Sequence, residues 1–597
     1  MNKWKFPDAI VVEDEGGYRC SCWWKNGGRG IEVECAHVRE VEAGEGSKPT
    51  RDINALATPD DPPLPTWLVD LAPHQWQAVE EVIALFESGV RIVWLDAPTG
   101  AGKTAIGEAV RRIMRKKGIA KTALYVCSDR GLQDQFVADF PYAKVLKGRR
   151  NYPTLLNAEA TAADCTSRGK DSKCSWCSDE NACPYRVAKR TAVMSPLAVL
   201  NTAYLLAEGS GESVFSGRGL VIADECDVLE NALMGFVEFR VTDAMLRKFK
   251  LIAPKKGSHH PTLVKWIDEE LQPAVDNALN KARGVSSLFG DDIKQTREIK
   301  QLESLKRDIT GVLARVESEG QWVRDNDAGP LVLRPVEVAP FGEDVLWRHG
   351  KHWLCMSATV ISADQMARSL GVQGGEGEVG GWGVVTVPAV FPVENRPVFM
   401  SPVANMVRAE QDTAWPQMVD GIRAVLERHG PDERVLVHAV SYALAQAITE
   451  GLKKVTSRRI ITYRNANNRV RALDLYTRTP GAVLVAPSME RGVDLKDDLC
   501  RVVIVAKVPY PYLGDPQVSR RMKLPDGGEW YAVQVVRNLV QMTGRGVRHK
   551  NDHATTYILD AQFHTNTYQR ARYLFPRWWL ESIEFLPVPQ LLRGHAA

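Results

Sequence analysis

The chain has 597 residues, 44% of them hydrophobic and 25% charged, and a formal net charge of +3. It is too long for one core, so roughly three to five domains are expected, and a charge so near neutral confines any nucleic-acid surface to a local groove. No stretch approaches about 18 uninterrupted apolar residues and the opening "MNKWKFPDAIVVEDEGG" has no apolar segment ending in a small-residue cleavage site, so a membrane span and secretion are not expected. A cytoplasmic location follows, a reducing one in which clustered thiols bind metal more often than they form disulfides.

In chain order, "YRCSCWWKNGGRGIEVECAHVRE" (18–40) comes first. Cys20-x-Cys22 and Cys35-x-His37 form two close pairs joined by the turn-like "KNGGRG". Three thiolates and an imidazole suit tetrahedral Zn²⁺, and metal would stabilise a segment with too little apolar content for a core. A hairpin with reduced cysteines is the alternative. The Pro-, Gly- and charge-rich "EAGEGSKPTRDINALATPDDPPLP" (42–65) reads as a linker. The expected division is a module at 1–50 and a connection at 51–66.

From residue 67 helical stretches alternate with short apolar runs, "RIVWL" (91–95), "ALYVC" (123–127), "GLVIAD" (219–224) and "HWLCMS" (352–357). A second set follows, "RVLVHA" (434–439), "GAVLVA" (481–486), "RVVIVAKV" (501–508) and "TTYILD" (555–560). Buried strands with intervening helices predict parallel sheets covered on both faces, hence two tandem α/β domains, 67–386 and 387–597. Between the sets, Ile299, Leu302, Leu305, Ile309, Leu313 and Val316 recur at helical spacing, which predicts a mostly helical insertion over 228–350.

The first run leads into "DAPTGAGKTAIGEAV". Gly100, Gly102, Lys103 and Thr104 match the end of a phosphate-binding loop between strand and helix, although Ala97 replaces its first glycine. Glycines let backbone N–H groups curl around phosphates at a helix N-terminus. Lys103 would reach the β/γ-phosphates, and the Thr104 hydroxyl would coordinate Mg²⁺. Asp224 ends the strand "GLVIAD", placed to hold Mg²⁺, and Glu225 follows as a candidate base for the attacking water. Near the far end, "NLVQMTGRGVRH" places Gln541, Arg545 and Arg548 together. Arg545 and Arg548 are three apart and share a helix face, suited to an arginine finger on the γ-phosphate.

Four further cysteines, Cys165, Cys174, Cys177 and Cys183, lie in the polar stretch "DCTSRGKDSKCSWCSDENACPYR" (164–186). Zinc and iron–sulfur clusters both accept four thiolates, and the spacing alone leaves both open. Cys127, Cys355 and Cys500 fall in or beside apolar strands and read as inert core residues.

The ordered segments "TGAGKT", "DECD", "SAT" (357–359), "ERGVDL" (490–495) and "QMTGRGVR" (541–548) resemble motifs I, II, III, V and VI of superfamily 2 helicases. Within that superfamily "LKGRRNYPT", "CPYR", "LAVLNTAYLL", "VFPVENRPV" and "SMERGVDLKDD" are similar to the XPD/DinG branch over residues 67–590. The resemblance implies two RecA-like domains with ATP in the cleft between them. It also implies a four-cysteine 4Fe-4S iron–sulfur domain (147–186) and a helical arch-like domain (228–350). ATP contacts are implied for Gln75, Ala97, Pro98, Thr99, Gly100, Ala101, Gly102, Lys103, Thr104, Gly492 and Asp494, and coupling for Ser357, Ala358 and Thr359. The branch commonly has Ala-His where this chain has Cys226-Asp227, and the cysteine loop here is short. Cys226 is small enough to replace Ala. The N-terminal module resembles a SWIM-type zinc finger, which implies nucleic-acid or protein partner binding.

The implied activity is ATP-dependent, 5′→3′ DNA helicase on single-stranded or tailed DNA, with backbone contacts from basic clusters such as Lys147, Arg149 and Arg150. A translocase or RNA-directed helicase that remodels complexes shares these motifs. A non-hydrolysing nucleic-acid-binding scaffold would not need the set Lys103, Asp224, Glu225, Arg545 and Arg548.

Overall fold

The computed structural model describes residues 64–65, 68, 71–165, 182–208, 213–255, 260–289, 293–318, 321–325, 331–487, 495, 497–544, 547 and 551–593, with three short strands before them. Those strands, β1 (Lys3–Lys5), β2 (Ile10–Asp14) and β3 (Gly17–Cys20), pair antiparallel in the order β1-β2-β3. Cys20 ends β3, whereas Cys22, Cys35 and His37 lie outside the described residues.

The first α/β domain carries β4 (Ile92–Asp96), β5 (Ala123–Cys127), β6 (Lys144–Val145), β7 (Leu197–Asn201) and β8 (Arg218–Asp224). An insertion follows with β9 (Phe239–Val241), β10 (Trp322–Asp325) and β11 (Leu331–Pro335), after which β12 (Gly350–Ser357) and β13 (Trp382–Thr386) return to the main sheet. That sheet runs β13-β4-β12-β8-β5-β7-β6, parallel throughout. Side chains alternate across it. Trp94, Val126, Val221 and Cys355 enter one apolar core, while Val93, Leu95, Tyr125, Ile222 and Met356 enter the other. With both faces dry, each strand must be apolar at consecutive positions, which explains the unbroken runs in the sequence.

The second domain repeats this plan with β14 (Val398–Ala404), β15 (Val435–His438), β16 (Ile460–Thr462), β17 (Val483–Ala486), β18 (Val502–Val505), β19 (Thr555–Asp560) and β20 (Ile583–Phe585). Its sheet is also parallel, in the order β16-β17-β15-β18-β19-β14-β20.

The insertion is less purely helical than expected. Helices His260–Trp266, Gln272–Phe289 and Ile293–Ser318 form its bulk, and Leu302, Leu305 and Ile309 of the apolar stripe are buried. Its base, however, is an antiparallel sheet of order β10-β11-β9. Among the described residues no helix is long and apolar enough to cross a membrane.

Candidate nucleotide site and domain interface

The loop after β4 is shaped by two glycines in the left-handed region, Gly100 and Gly102, each with φ +81°. Gly102 caps the helix Lys103–Lys116, so the N-terminus of that helix faces the loop and favours an anion there. Ala97 is fully buried and absent from the positive-φ positions, so alanine meets the local requirement. Its amide donates to the Ser357 carbonyl at 2.9 Å, and the Ala101 amide to the Pro98 carbonyl at 3.1 Å, with Thr99 between them. The Lys103 ammonium donates to the Ala97 carbonyl at 3.3 Å, turned back across the loop mouth.

Gln75, in the first turn of the helix Pro73–Glu87, braces the loop from outside. Its amide donates to the Ala101 carbonyl at 3.0 Å, and its Oε1 accepts the Ala72 N–H at 2.9 Å. A Cβ on Gly102 would come within 2.0 Å of Gln75 Nε2, so that amide would have to swing away and give up its brace.

Asp224 ends β8 beside β12, and β12 lies beside β4, so the acid and the loop share the C-terminal edge of one sheet, the usual ligand crevice of such folds. The Tyr125 hydroxyl donates to Asp224 Oδ2 and the Glu225 amide to Oδ1, both at 3.1 Å. Burial raises the Asp224 pKa, and the Lys103 charge opposes that rise. Thr104 lies against the Tyr125 hydroxyl. Glu225 takes φ +54°, ψ +47°. A non-glycine residue there stores about 1–2 kcal/mol of strain.

Cys226 is fully buried and its thiol is held neutral, its pKa pushed far up by burial. Asp227 is the residue whose part the sequence left unassigned. It is 2% exposed and accepts from Ser357 Oγ at 2.8 Å. Ser357 Oγ also lies 3.3 Å from Thr359 Oγ1 and accepts the Thr359 amide at 3.1 Å, with Ala358 between the two. Gln541 reaches in from the second domain, donating to Thr359 Oγ1 at 2.8 Å and to Asp227 Oδ2 at 3.3 Å. One buried carboxylate thus joins motif II, motif III and the second domain. Gln541 lies in the last turn of the helix Gly527–Thr543 and opens motif VI; Arg545 and Arg548, like Gly492 and Asp494, lie outside the described residues.

Of the four clustered cysteines, Cys165 and Cys183 are buried in the first domain's core, and Cys174 and Cys177 lie outside the described residues. Among the described residues no group of three or more His, Cys, Asp or Glu is placed to hold a metal ion. The insertion's long helix grips this segment. Arg297 pairs with Asp164 at 2.8 Å, and Lys300 donates to the Ala163 carbonyl at 2.8 Å and to the Cys165 carbonyl. Beside the grip lies a cleft of about 930 Å³ whose lining carries Arg150, Arg240, Arg297, Lys300 and Arg315 against Asp164, Glu238 and Asp308. Lys147 pairs with Asp134, and the Arg149 guanidinium lies 4.8 Å over the Tyr185 ring.

Two parallel sheets, a phosphate loop on the first and a glutamine reaching across from the second define the class of two-domain RecA-like folds. Residues 68–241 match the family described as type III restriction enzyme, res subunit, and residues 425–582 match the helicase C-terminal domain. Within that class the fold is XPD-like. The chain is similar to the structure of S. tokodaii Xpd4 (TM-score 0.53, 16% identity, 86% of this chain and 99% of that one) and to an XPD helicase structure (TM-score 0.57, 13% identity, 87% and 100%). In sequence it is 34% identical over 86 residues to a Drosophila grimshawi regulator of telomere elongation helicase 1 homolog (13% of this chain, 9% of that protein). It is 32% identical over 99 residues to a Gallus gallus Fanconi anemia group J protein homolog (14% and 8%). The matched stretches therefore span under a tenth of these two relatives' length.

Proposed function

We propose that this chain is an ATP-dependent DNA helicase acting 5′→3′ on single-stranded or tailed DNA. The observation that carries the reading is the Asp227–Ser357–Thr359–Gln541 cluster, which ties the second domain to the edge of the first where the phosphate loop and Asp224–Glu225 lie. Backbone N–H groups of the loop and Lys103 would take the β/γ-phosphates. Thr104 and Asp224 would hold Mg²⁺, which supplies neutralising charge when bound. The fit rests on Asp224, a half-buried carboxylate at the loop's own sheet edge.

Glu225 orients the attacking water and accepts its proton. Arg545 and Arg548 bring positive charge to the γ-phosphate as the domains close, with Gly492 and Asp494 completing the site. The basic cleft beside the insertion would track the DNA backbone. We assign Cys165, Cys174, Cys177 and Cys183 to a 4Fe-4S cluster. The donor set fits, being four thiols of which two are already withdrawn from solvent. The cluster would staple a polar segment that has little core of its own. Cys20, Cys22, Cys35 and His37 are assigned to Zn²⁺ in a module that binds nucleic acid or a protein partner.

Strand displacement on 5′-tailed, 3′-tailed and RNA-containing duplexes tests the reading. ATP-dependent unwinding of the 5′-tailed DNA is expected. ATP turnover with no displacement would instead favour a remodelling translocase.

A further inference from the structure

The helix Gly527–Thr543 carries Gln541 to the first domain, so its docking there decides where that side chain arrives. Trp530, Gln534 and Gln541 are spaced i, i+4 and i+11 along it and share one stripe. Gln541 enters the cluster described above. The other two converge on a single residue of the first domain, Glu230. The Trp530 indole N–H donates to Glu230 Oε1 at 2.8 Å, and the Gln534 amide donates to Oε2 at 3.0 Å. Each donor has its own oxygen, so the full carboxylate is used.

Both partners are held rigidly. Glu230 sits in the first turn of the helix Leu229–Val237, just after motif II, where the helix dipole favours a negative charge. Trp530 is 6% exposed, with the Arg521 guanidinium 5.5 Å over its ring. Arg521 is itself 2% exposed and bound to Asp526 by two hydrogen bonds. From Gln534 to Gln541 is two turns, about 10 Å along the axis, so a small tilt at Glu230 displaces the motif VI end.

We infer that Glu230 is a positioning residue for hydrolysis. It fixes the pivot of this helix on the first domain and thereby sets the approach of Gln541 to Asp227 and Thr359. The catalytic consequence rests on the helicase reading; the docking does not.

The test uses the full chain with Glu230→Ala, Glu230→Gln and Gln534→Ala. In Glu230→Ala, kcat for DNA-stimulated ATP hydrolysis should fall about tenfold or more while KM for ATP stays unchanged. Glu230→Gln keeps one acceptor and the side-chain shape, and should recover part of the loss. Adding Gln534→Ala to Glu230→Ala should cost little more, because the two act through one contact. Without nucleotide, amides of residues 527–541 should exchange hydrogen faster in Glu230→Ala than in wild type. An unchanged kcat in Glu230→Ala, or a loss confined to KM, overturns the inference. If wild type itself shows no turnover, the helicase reading fails instead, and exchange identical to wild type would then overturn the docking role.

Discussion

Lys103 and Glu225 are both expected to be essential, but they should fail differently. Lys103→Ala strips charge from the phosphate site and should weaken ATP binding as well as abolish turnover. Glu225→Gln leaves the loop intact and should bind ATP while losing kcat, on the ~10²–10⁴ scale of a general base. Nucleotide titration beside steady-state kinetics separates the two, and wild-type turnover in Glu225→Gln would remove Glu225 as the base. A third residue contributes to pH dependence. His349 is fully buried, and burial lowers its pKa to about 4. Between its unfolded value of about 6.5 and that lowered value, the unfolded chain binds more protons. Stability contributed by neutral His349 is therefore complete above pH ~6.5 and is lost as pH falls toward 4, by about 3 kcal/mol over the interval. Denaturant unfolding at pH 7 and pH 4.5 should show this loss in wild type and a smaller one in His349→Leu. The Lys103–Thr104 and Asp224–Glu225 positions were legible because their chemistry needs fixed spacings after a strand. Asp227 was visible only as a departure, since nothing local says that an acid there will meet a serine from β12 and a glutamine from the other domain. Glu230 gave no signal, because an acid in a first helical turn already satisfies the dipole.

At the level of elements, Gly102 of the phosphate loop is a position where a methyl group would be strained and would displace a brace. Gly102→Ala would force a left-handed alanine and drive its Cβ into the Gln75 amide. ATP affinity should drop about tenfold or more, for which a loss of 1.4 kcal/mol suffices; unchanged affinity would mean that Gln75 does not brace the loop. The cysteine segment is tested through colour and strand separation. Cys174→Ser should remove broad absorbance and about four irons per chain from anaerobically prepared protein, and abolish unwinding, while much basal ATPase activity persists. Colourless wild-type protein with stoichiometric zinc would reassign the site. The eight apolar runs read as strands all pair in the two sheets because both faces of each are buried. The edge strands β6, β16 and β20 span only two or three residues and leave no periodicity to detect. The sheet β10-β11-β9 was hidden for another reason: β9 reaches β11 only across the intervening helices, so no local pattern announces the pairing.

Across the whole molecule, contacts between the domains are many and polar. Besides Gln541 and Glu230, Arg368 pairs with Glu529 at 2.7 Å, Arg334 of β11 pairs with Asp515 at 3.1 Å, and Gln517 donates to the Val336 carbonyl at 2.7 Å. Polar contacts of this kind can be remade as two domains open and close, whereas a wide apolar interface would lock them. Nucleotide and DNA are expected to act on this one interface. The most direct measurement is ATP hydrolysis by the full chain with and without single-stranded DNA, beside Arg548→Ala. Turnover should rise with DNA and fall by ~10³ or more in Arg548→Ala, with ATP binding largely kept. Folded wild-type protein that binds ATP yet shows no turnover, with or without DNA, would contradict that expectation.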